Sequence, residues 1–163
     1  FMVGDSAGAQ IISQICALLT NQDYQKLFSF QIPNVIVKAV LLNCGLFAPR
    51  KAFFTEDGKL IPPATDYLPA DAAVEHLMEQ MDVFQYITAD FPSAFLMGCS
   101  NDPISLTDTE DFYQLLKEKG VTAEIKWYGE DDKSLNHCFH INYLLKASKA
   151  CMDAELAFLD AII

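Results

Sequence analysis

The chain has 163 residues, of which 52% are hydrophobic, and this length suits one hydrophobic core rather than two domains. Its 22 acidic residues outnumber its 11 lysines and arginines, which are scattered, so the formal net charge is −11. This balance argues against nucleic acid or an anionic membrane surface as a partner, and no apolar run reaches the roughly 18 residues that span a bilayer.

The first part of the sequence predicts two strands with a helix between them. Residues 1–3 are apolar and predict the end of a buried strand. Residues 7–20 carry apolar side chains three and four positions apart, which is typical of an amphipathic helix. Residues 34–43 are mostly β-branched and apolar, and they predict a strand that is covered on both faces.

A long irregular insert is predicted for residues 46–92, because prolines recur in it. Within it, residues 71–84 predict a helix with Asp71 near its N-terminus. Regular elements resume only after the insert.

The second half of the sequence returns to the alternation of strands and helices. Residues 93–100 and 122–129 predict strands, and residues 108–120 predict a helix with acidic residues early and lysines late. From about Ile141 onward an apolar stripe predicts one long helix or two. This alternation predicts an α/β fold in which a mostly parallel sheet is flanked by helices.

The sequence Gly4-Asp5-Ser6-Ala7-Gly8 lies between the first predicted strand and the first predicted helix. In this context Gly-x-Ser-x-Gly predicts a serine nucleophile at the carboxyl end of the sheet. We expect small residues at Gly4 and Gly8 to keep neighbouring backbone clear of the sharp turn. The backbone N–H of Ala7 is then placed to stabilise an oxyanion.

A serine hydroxyl becomes a nucleophile when a base takes its proton and a carboxylate orients that base. Of the three histidines, His137 and His140 follow the last predicted strand, whereas His76 lies in the predicted insert helix. Asp102 directly follows an earlier predicted strand and precedes a proline, which favours an extended or turn backbone. The resulting order of serine, aspartate and histidine is the order that this strand–turn–helix architecture uses.

Two alternatives remain within this group of residues. Asp131 and Asp132 lie near His137 in sequence and are alternative acids, although acidic loops are usually solvated. His137 and His140 are three positions apart, so on a helix they would be able to share a metal, although no further histidine or suitable cysteine pair lies nearby.

The five cysteines are odd in number, and no two of them have CxxC spacing. Most of them lie in apolar surroundings, as in LLNCGL and FLMGCS. These features predict small buried free thiols in a reducing compartment, and hence a cytoplasmic location.

Three segments resemble parts of known hydrolases: GDSAGA at 4–9, SNDPISLTDTEDFYQLLKEKG at 100–120 and NHCFH at 136–140. They are similar to the nucleophile elbow, the acid loop and the histidine loop of α/β-hydrolases. More narrowly, they resemble the hormone-sensitive-lipase-like group of carboxylesterases and acetyl esterases. The resemblance spans most of the chain. It implies that residues 1–163 are the C-terminal part of an α/β-hydrolase domain, with 46–92 as its cap or lid insert.

The resemblance also selects between the two candidate histidines. In that group an aromatic residue typically stands two positions after the catalytic histidine, and Phe139 has this position relative to His137. His140 has no such aromatic, so the resemblance implies that His137 is the base. The other roles that it implies are nucleophile for Ser6, orientation of the imidazole for Asp102 and an oxyanion-hole N–H for Ala7.

The activity implied by the resemblance is cleavage of small-molecule carboxylic esters with small or medium acyl chains, through an acyl-enzyme on Ser6 and without a cofactor or metal. A second hypothesis is a catalytically incomplete, hydrolase-like binding module. Apolar side chains of the insert predict either an acyl pocket or simple packing of the cap: Phe47, Phe53, Phe54, Leu68, Met78, Met81 and Phe84.

The sequence departs from the group on one point. Members carry an HGG-type loop, which supplies further oxyanion donors, and additional strands upstream of the elbow; neither is present here. Loss of one oxyanion donor costs on the order of 10²–10³ in rate. We therefore expect a missing N-terminal segment, weak or no activity of this chain alone, and self-association through an exposed strand edge.

Overall fold

A computed structural model of the chain describes residues 1–68, 74–104 and 106–163. Its four-stranded sheet is parallel throughout and has the order β1-β2-β3-β4. The strands are β1 (Met2–Asp5), β2 (Ala39–Asn43), β3 (Ser93–Cys99) and β4 (Ala123–Tyr128). The predicted mostly parallel sheet flanked by helices is therefore confirmed.

Seven helices accompany the sheet in the described part of the chain. They are α1 (Ala7–Thr20), α2 (Gln22–Gln25), α3 (Pro49–Phe53), α4 (Pro62–Tyr67), α5 (Val74–Met81), α6 (Leu106–Glu118) and α7 (Lys146–Ile162). Single 3-10 turns occupy Val83–Gln85 and Phe139–Ile141. None of the described helices is long and apolar enough to cross a membrane.

The two faces of the sheet carry separate hydrophobic cores. Val40 and Leu42 of β2 pack in the core formed with α1 and α6, whereas Ala39 and Leu41 pack in the core formed with α7. Successive side chains of a strand point to opposite faces, so a strand buried on both faces is apolar at every position. The continuous apolar run in β2 predicted this burial on both faces of the sheet.

The prediction of a strand over residues 34–43 is correct only for its second half. Residues 34–38 are not part of the strand, and Val35 and Ile36 are exposed. The neighbouring strand β3 begins at Ser93, opposite Ala39, directly after Pro92, which has no N–H to donate. Apolar residues upstream of Ala39 therefore have no partner in the sheet.

The region 46–92 is less irregular than predicted, because it contains α3, α4 and α5. The described part of α5 lies within the helix predicted over 71–84, and Asp71 lies outside the described residues. Part of the region belongs to the main core: the Phe47 ring stacks on that of Phe112, with centroids 4.1 Å apart. The beginning of region 46–92 is thus packed against α6.

Candidate active site

Ser6 forms the turn between β1 and α1 and has a strained backbone. Its φ of 54° and ψ of −119° lie in a region that residues with a side chain rarely occupy. Its N–H donates to the carbonyl oxygen of Asn43 at 2.8 Å, and its carbonyl oxygen accepts from the N–H of Gln10 at 3.2 Å. The same residue therefore ends the strand ladder and begins the helix, which fixes its position.

The sharp turn brings the first turn of α1 close to β1. A Cβ atom added to Gly4 would lie 2.7 Å from the backbone carbon and oxygen of Gly8, which is too close for any side chain. A Cβ atom added to Gly8 would meet nothing within 4 Å. The prediction that a small residue is required here is therefore confirmed for Gly4. It is wrong for Gly8, because Gly8 contributes only its backbone to this contact.

His137 lies in the turn that precedes the 3-10 turn after β4. Its Nε2 atom is 2.8 Å from the Oγ atom of Ser6, and its side chain is 21% exposed. The next residue, Cys138, has a left-handed backbone with φ of 55°, and Phe139 is buried against Tyr128 with ring centroids 5.2 Å apart. The buried phenyl ring anchors the loop that holds the imidazole over the serine.

Asp102 occupies the tight turn at the end of β3 and is 1% exposed. One carboxylate oxygen, Oδ2, lies 2.7 Å from the Nδ1 atom of His137, and the other accepts the N–H of Ile104 at 2.8 Å. The Asp102 N–H donates to the carbonyl oxygen of Cys99 at 3.0 Å. The carboxylate is thus held from both sides and fixes the tautomer in which Nε2 accepts the hydroxyl proton of Ser6.

The alternative acids do not lie at this position. Asp131 and Asp132 are exposed. Asp132 accepts from the N–H and hydroxyl of Ser134 at 3.0 and 2.6 Å, and these hydrogen bonds hold the pKa of its carboxyl below the usual value. The acidic loop is therefore a solvated turn, and Asp102 is the carboxylate in contact with His137.

The other two histidines make different contacts. His140 is half-buried, burial lowers its pKa, and its Nδ1 atom has no hydrogen-bond partner among the described residues. His76 is exposed on α5, with Nδ1 3.9 Å from a carboxylate oxygen of Glu79. Within the described residues, no cluster of three candidate metal ligands contains His140, so the geometry gives no support to a metal shared by His137 and His140.

Cys44 is a residue at this site that sequence reasoning did not single out. It directly follows β2, has a left-handed backbone with φ of 48°, and is fully buried. Its Sγ atom lies within 4.8 Å of a carboxylate oxygen of Asp102 and a ring nitrogen of His137. Burial raises the pKa of the Cys44 thiol, which is therefore protonated. The feature of the sequence that could have indicated Cys44 is its position directly after a predicted strand.

An apolar cavity of about 310 Å³ lies beside the turn at Ser6 and begins at Ala7. Two of the insert residues predicted for an acyl pocket, Phe53 and Met81, line it, whereas Phe47 and Met78 are fully buried. These apolar residues therefore divide into some that line a cavity and some that pack in the core. The full lining is Ala7, Gln10, Ile11, Leu46, Pro49, Ala52, Phe53, Tyr67 and Met81.

Comparison with known proteins gives a match in structure only. No family model and no curated protein matches the sequence. Esterase B from Lactobacillus rhamnosis is similar over 99% of this chain and 53% of its own, with a TM-score of 0.81 and 22% identity. An esterase from Pyrobaculum calidifontis is similar over 99% of this chain and 52% of its own, with a TM-score of 0.65 and 18% identity.

A third similar structure is the acetyl ester-xyloside bifunctional hydrolase from Caldicellulosiruptor lactoaceticus. It matches 96% of this chain and 55% of its own, with a TM-score of 0.64 and 15% identity. The chain thus spans about half the length of each of these proteins. Over that length, the chain has the fold of α/β-hydrolase esterases, as the resemblance of its sequence motifs implied.

Proposed function

We propose that this chain carries the catalytic residues of a serine esterase, with Ser6 as nucleophile, His137 as base and Asp102 as the residue that orients the imidazole. The observation that carries the proposal is the continuous line of hydrogen-bond contacts, 2.8 Å from Ser6 to His137 and 2.7 Å from His137 to Asp102. A glycine-rich turn without a catalytic role would not be expected to place a serine, a histidine and an aspartate in such a line.

The proposed reaction has two stages. The Oγ atom of Ser6 attacks the ester carbonyl carbon while Nε2 of His137 takes the hydroxyl proton, and the imidazolium then gives that proton to the departing alcohol. Water next attacks the acyl-enzyme, and His137 acts as base again. The ionised Asp102 stabilises the imidazolium in both stages, and the N–H of Ala7, at the N-terminus of α1, donates to the oxyanion.

The substrate that we propose is a carboxylic ester with a small or medium acyl chain. The apolar cavity begins at Ala7, beside the proposed oxyanion donor, and about 310 Å³ gives room for a short aliphatic chain. Esterase B, one of the structural neighbours, is described with a C4 tributyrin phosphonate. We further propose that region 46–92 is the cap of this pocket, because Phe53 and Met81 come from it.

Intact mass after treatment with a fluorophosphonate tests the proposed nucleophile. We expect one phosphonyl adduct on the chain and none on Ser6→Ala, because only an activated serine displaces the fluoride. A short-alkyl probe should react faster than a dodecyl probe if the cavity holds the alkyl chain. The absence of any adduct would leave two alternatives, an active site that needs further protein or a hydrolase-like binding module, and the same assay on the full-length protein would separate them.

The edge of β1 is the proposed site where further protein completes the sheet. Among the described strands, β1 pairs only with β2, and Phe1 and Val3 are 55% and 60% exposed. Strands of parallel sheets are normally covered on both faces. We propose that a strand of an upstream segment pairs here in the whole protein, and that this chain alone is weakly active because upstream oxyanion donors are lacking.

Self-association of the isolated chain is the expected consequence of this edge. Sedimentation should show dimers or larger species that Val3→Lys reduces, because a charge on an edge strand opposes pairing with another strand. Ile163→Lys places the same charge at an exposed C-terminal residue and should change nothing. A monodisperse monomer with ordinary esterase turnover would contradict the proposal.

The proposed compartment is the reducing cytoplasm. All five cysteines are free thiols, and Cys138 is the one that is not buried. Free thiols persist where the surroundings are reducing.

A further inference from the structure

Three different metal-binding side chains meet behind the proposed nucleophile. The Sγ atom of Cys44, a carboxylate oxygen of Asp102 and a ring nitrogen of His137 all lie within 4.8 Å of one another. The sheet brings the first two together, because β2 and β3 are parallel neighbours and each residue follows the carboxyl end of its strand. His137 reaches them from the loop after β4.

This donor set suits a thiophilic divalent cation. Zinc binds thiolate sulfur at about 2.3 Å and imidazole nitrogen or carboxylate oxygen at about 2.0–2.2 Å, so its ligand atoms stand roughly 3.5 Å apart. The distances between the three atoms of this cluster, at most 4.8 Å, exceed that spacing by no more than about 1.3 Å. Cadmium is larger and softer, and a thiolate favours it further.

We propose that Cys44, Asp102 and His137 form an inhibitory site for Zn²⁺ or Cd²⁺. The cation takes the place of the proton on Nδ1 of His137, between the ring and Asp102. That proton moves to Nε2 through solvent, so the imidazole stays neutral, and the thiol proton of Cys44 leaves to solvent. The protonated Nε2 atom can no longer accept the hydroxyl proton of Ser6. Inhibition of the hydrolase rests on the proposed function, whereas binding of the cation does not.

The burial of the cluster determines how the cation reaches it. Cys44 is 0% exposed and Asp102 is 1% exposed, whereas the side chain of His137 is 21% exposed. A cation therefore passes the imidazole, which must rotate first. We expect the onset of inhibition to be time-dependent and a chelator to reverse it.

Titration with Cd²⁺ in the Ser6→Ala background tests binding apart from catalysis. We expect one equivalent to bind with the ultraviolet charge-transfer absorption of a cadmium thiolate. Cys44→Ser should remove that absorption and weaken Cd²⁺ binding at least about tenfold. Loss of a residue that only supports a metal ligand already weakens metal binding by about that factor, and Cys44 would be a ligand itself. Cys16→Ser is the matched control, because the Cys16 thiol is equally buried but lies in the core on the other face of the sheet.

His137→Ala in the same background provides a second variant that leaves Cys44 in place. It should weaken Cd²⁺ binding as well, and circular dichroism checks that each variant is folded. Each of three results would overturn the site: absorption that persists in Cys44→Ser, absorption that is lost in Cys16→Ser, or Cd²⁺ binding that is unchanged in His137→Ala.

Protection from the fluorophosphonate links the site to the reaction. Cd²⁺ should block formation of the adduct in the parent chain and fail to block it in Cys44→Ser. Rapid labelling of a parent chain that has bound Cd²⁺ would overturn the inhibitory role. Absence of labelling in metal-free protein, together with the expected cadmium absorption, would count against the proposed esterase and leave the metal site standing.

Discussion

Replacing His137 by alanine is expected to lower kcat for a carboxylic ester by about 10⁶-fold, to the limit of detection. Removing the base of a serine hydrolase costs about as much as removing the whole catalytic group, because these residues act as a unit. In this chain the Nε2 atom of His137 is 2.8 Å from the Oγ atom of Ser6. The rate of phosphonylation by a fluorophosphonate checks the result where ester turnover is too slow to measure.

His140→Ala is the matched control for this prediction. It removes an imidazole three positions away in the same loop, with an Nδ1 atom that has no partner among the described residues. We expect a far smaller loss of phosphonylation rate than for His137→Ala. Equal losses in the two variants would show that the loop, rather than the base, had been disturbed, and would contradict the assignment.

Replacing Asp102 by asparagine is the second change with a large expected effect, a loss of about 10⁴-fold in kcat. The amide would donate to Nδ1 of His137, where the carboxylate now accepts, and would stabilise the tautomer whose Nε2 carries the proton. That nitrogen cannot accept the hydroxyl proton of Ser6. Phosphonylation rates with a small fluorophosphonate measure the effect without dependence on the leaving alcohol.

Asp132→Asn separates the role of Asp102 from the general loss of a negative charge near the site. The Asp132 carboxylate is exposed and accepts only from Ser134 in the contacts that the structure describes, whereas its backbone carbonyl oxygen, which the substitution keeps, accepts from Asn101 and Leu135. Its replacement should leave the phosphonylation rate near that of the parent chain. A loss comparable to that of Asp102→Asn would make the acidic loop the source of the catalytic carboxylate.

Residues at the ends of strands were the part of the site that the sequence could predict. Ser6, Asp102 and His137 each follow a strand that is apolar enough to recognise, and the carboxyl ends of parallel strands meet at one edge of the sheet. Cys44 has the same placement, yet its motif gave no chemical signal, because a cysteine after an apolar strand is usually a buried small residue. Its closeness to Asp102 depends on the register of β2 with β3.

Lengths and packing partners were less predictable than the positions of the elements. Residues 34–38 have the composition of a strand, but a strand extends only as far as its neighbour, and β3 begins opposite Ala39. Likewise, composition could not separate Phe47, which stacks in the core, from Phe53, which lines the cavity. Tertiary contacts decide both cases, and local patterns do not contain them.

At position 6, the residue that would best stabilise the fold differs from the residue that the proposed reaction needs. Glycine adopts a φ of 54° with a ψ of −119° without the penalty of about 1–3 kcal/mol that a side chain incurs in a strained region. A glycine there would therefore relax the fold and at the same time delete the hydroxyl. Screening variants for thermal stability alone would thus reward loss of the proposed nucleophile, so any stabilisation of this protein has to be sought elsewhere in the chain.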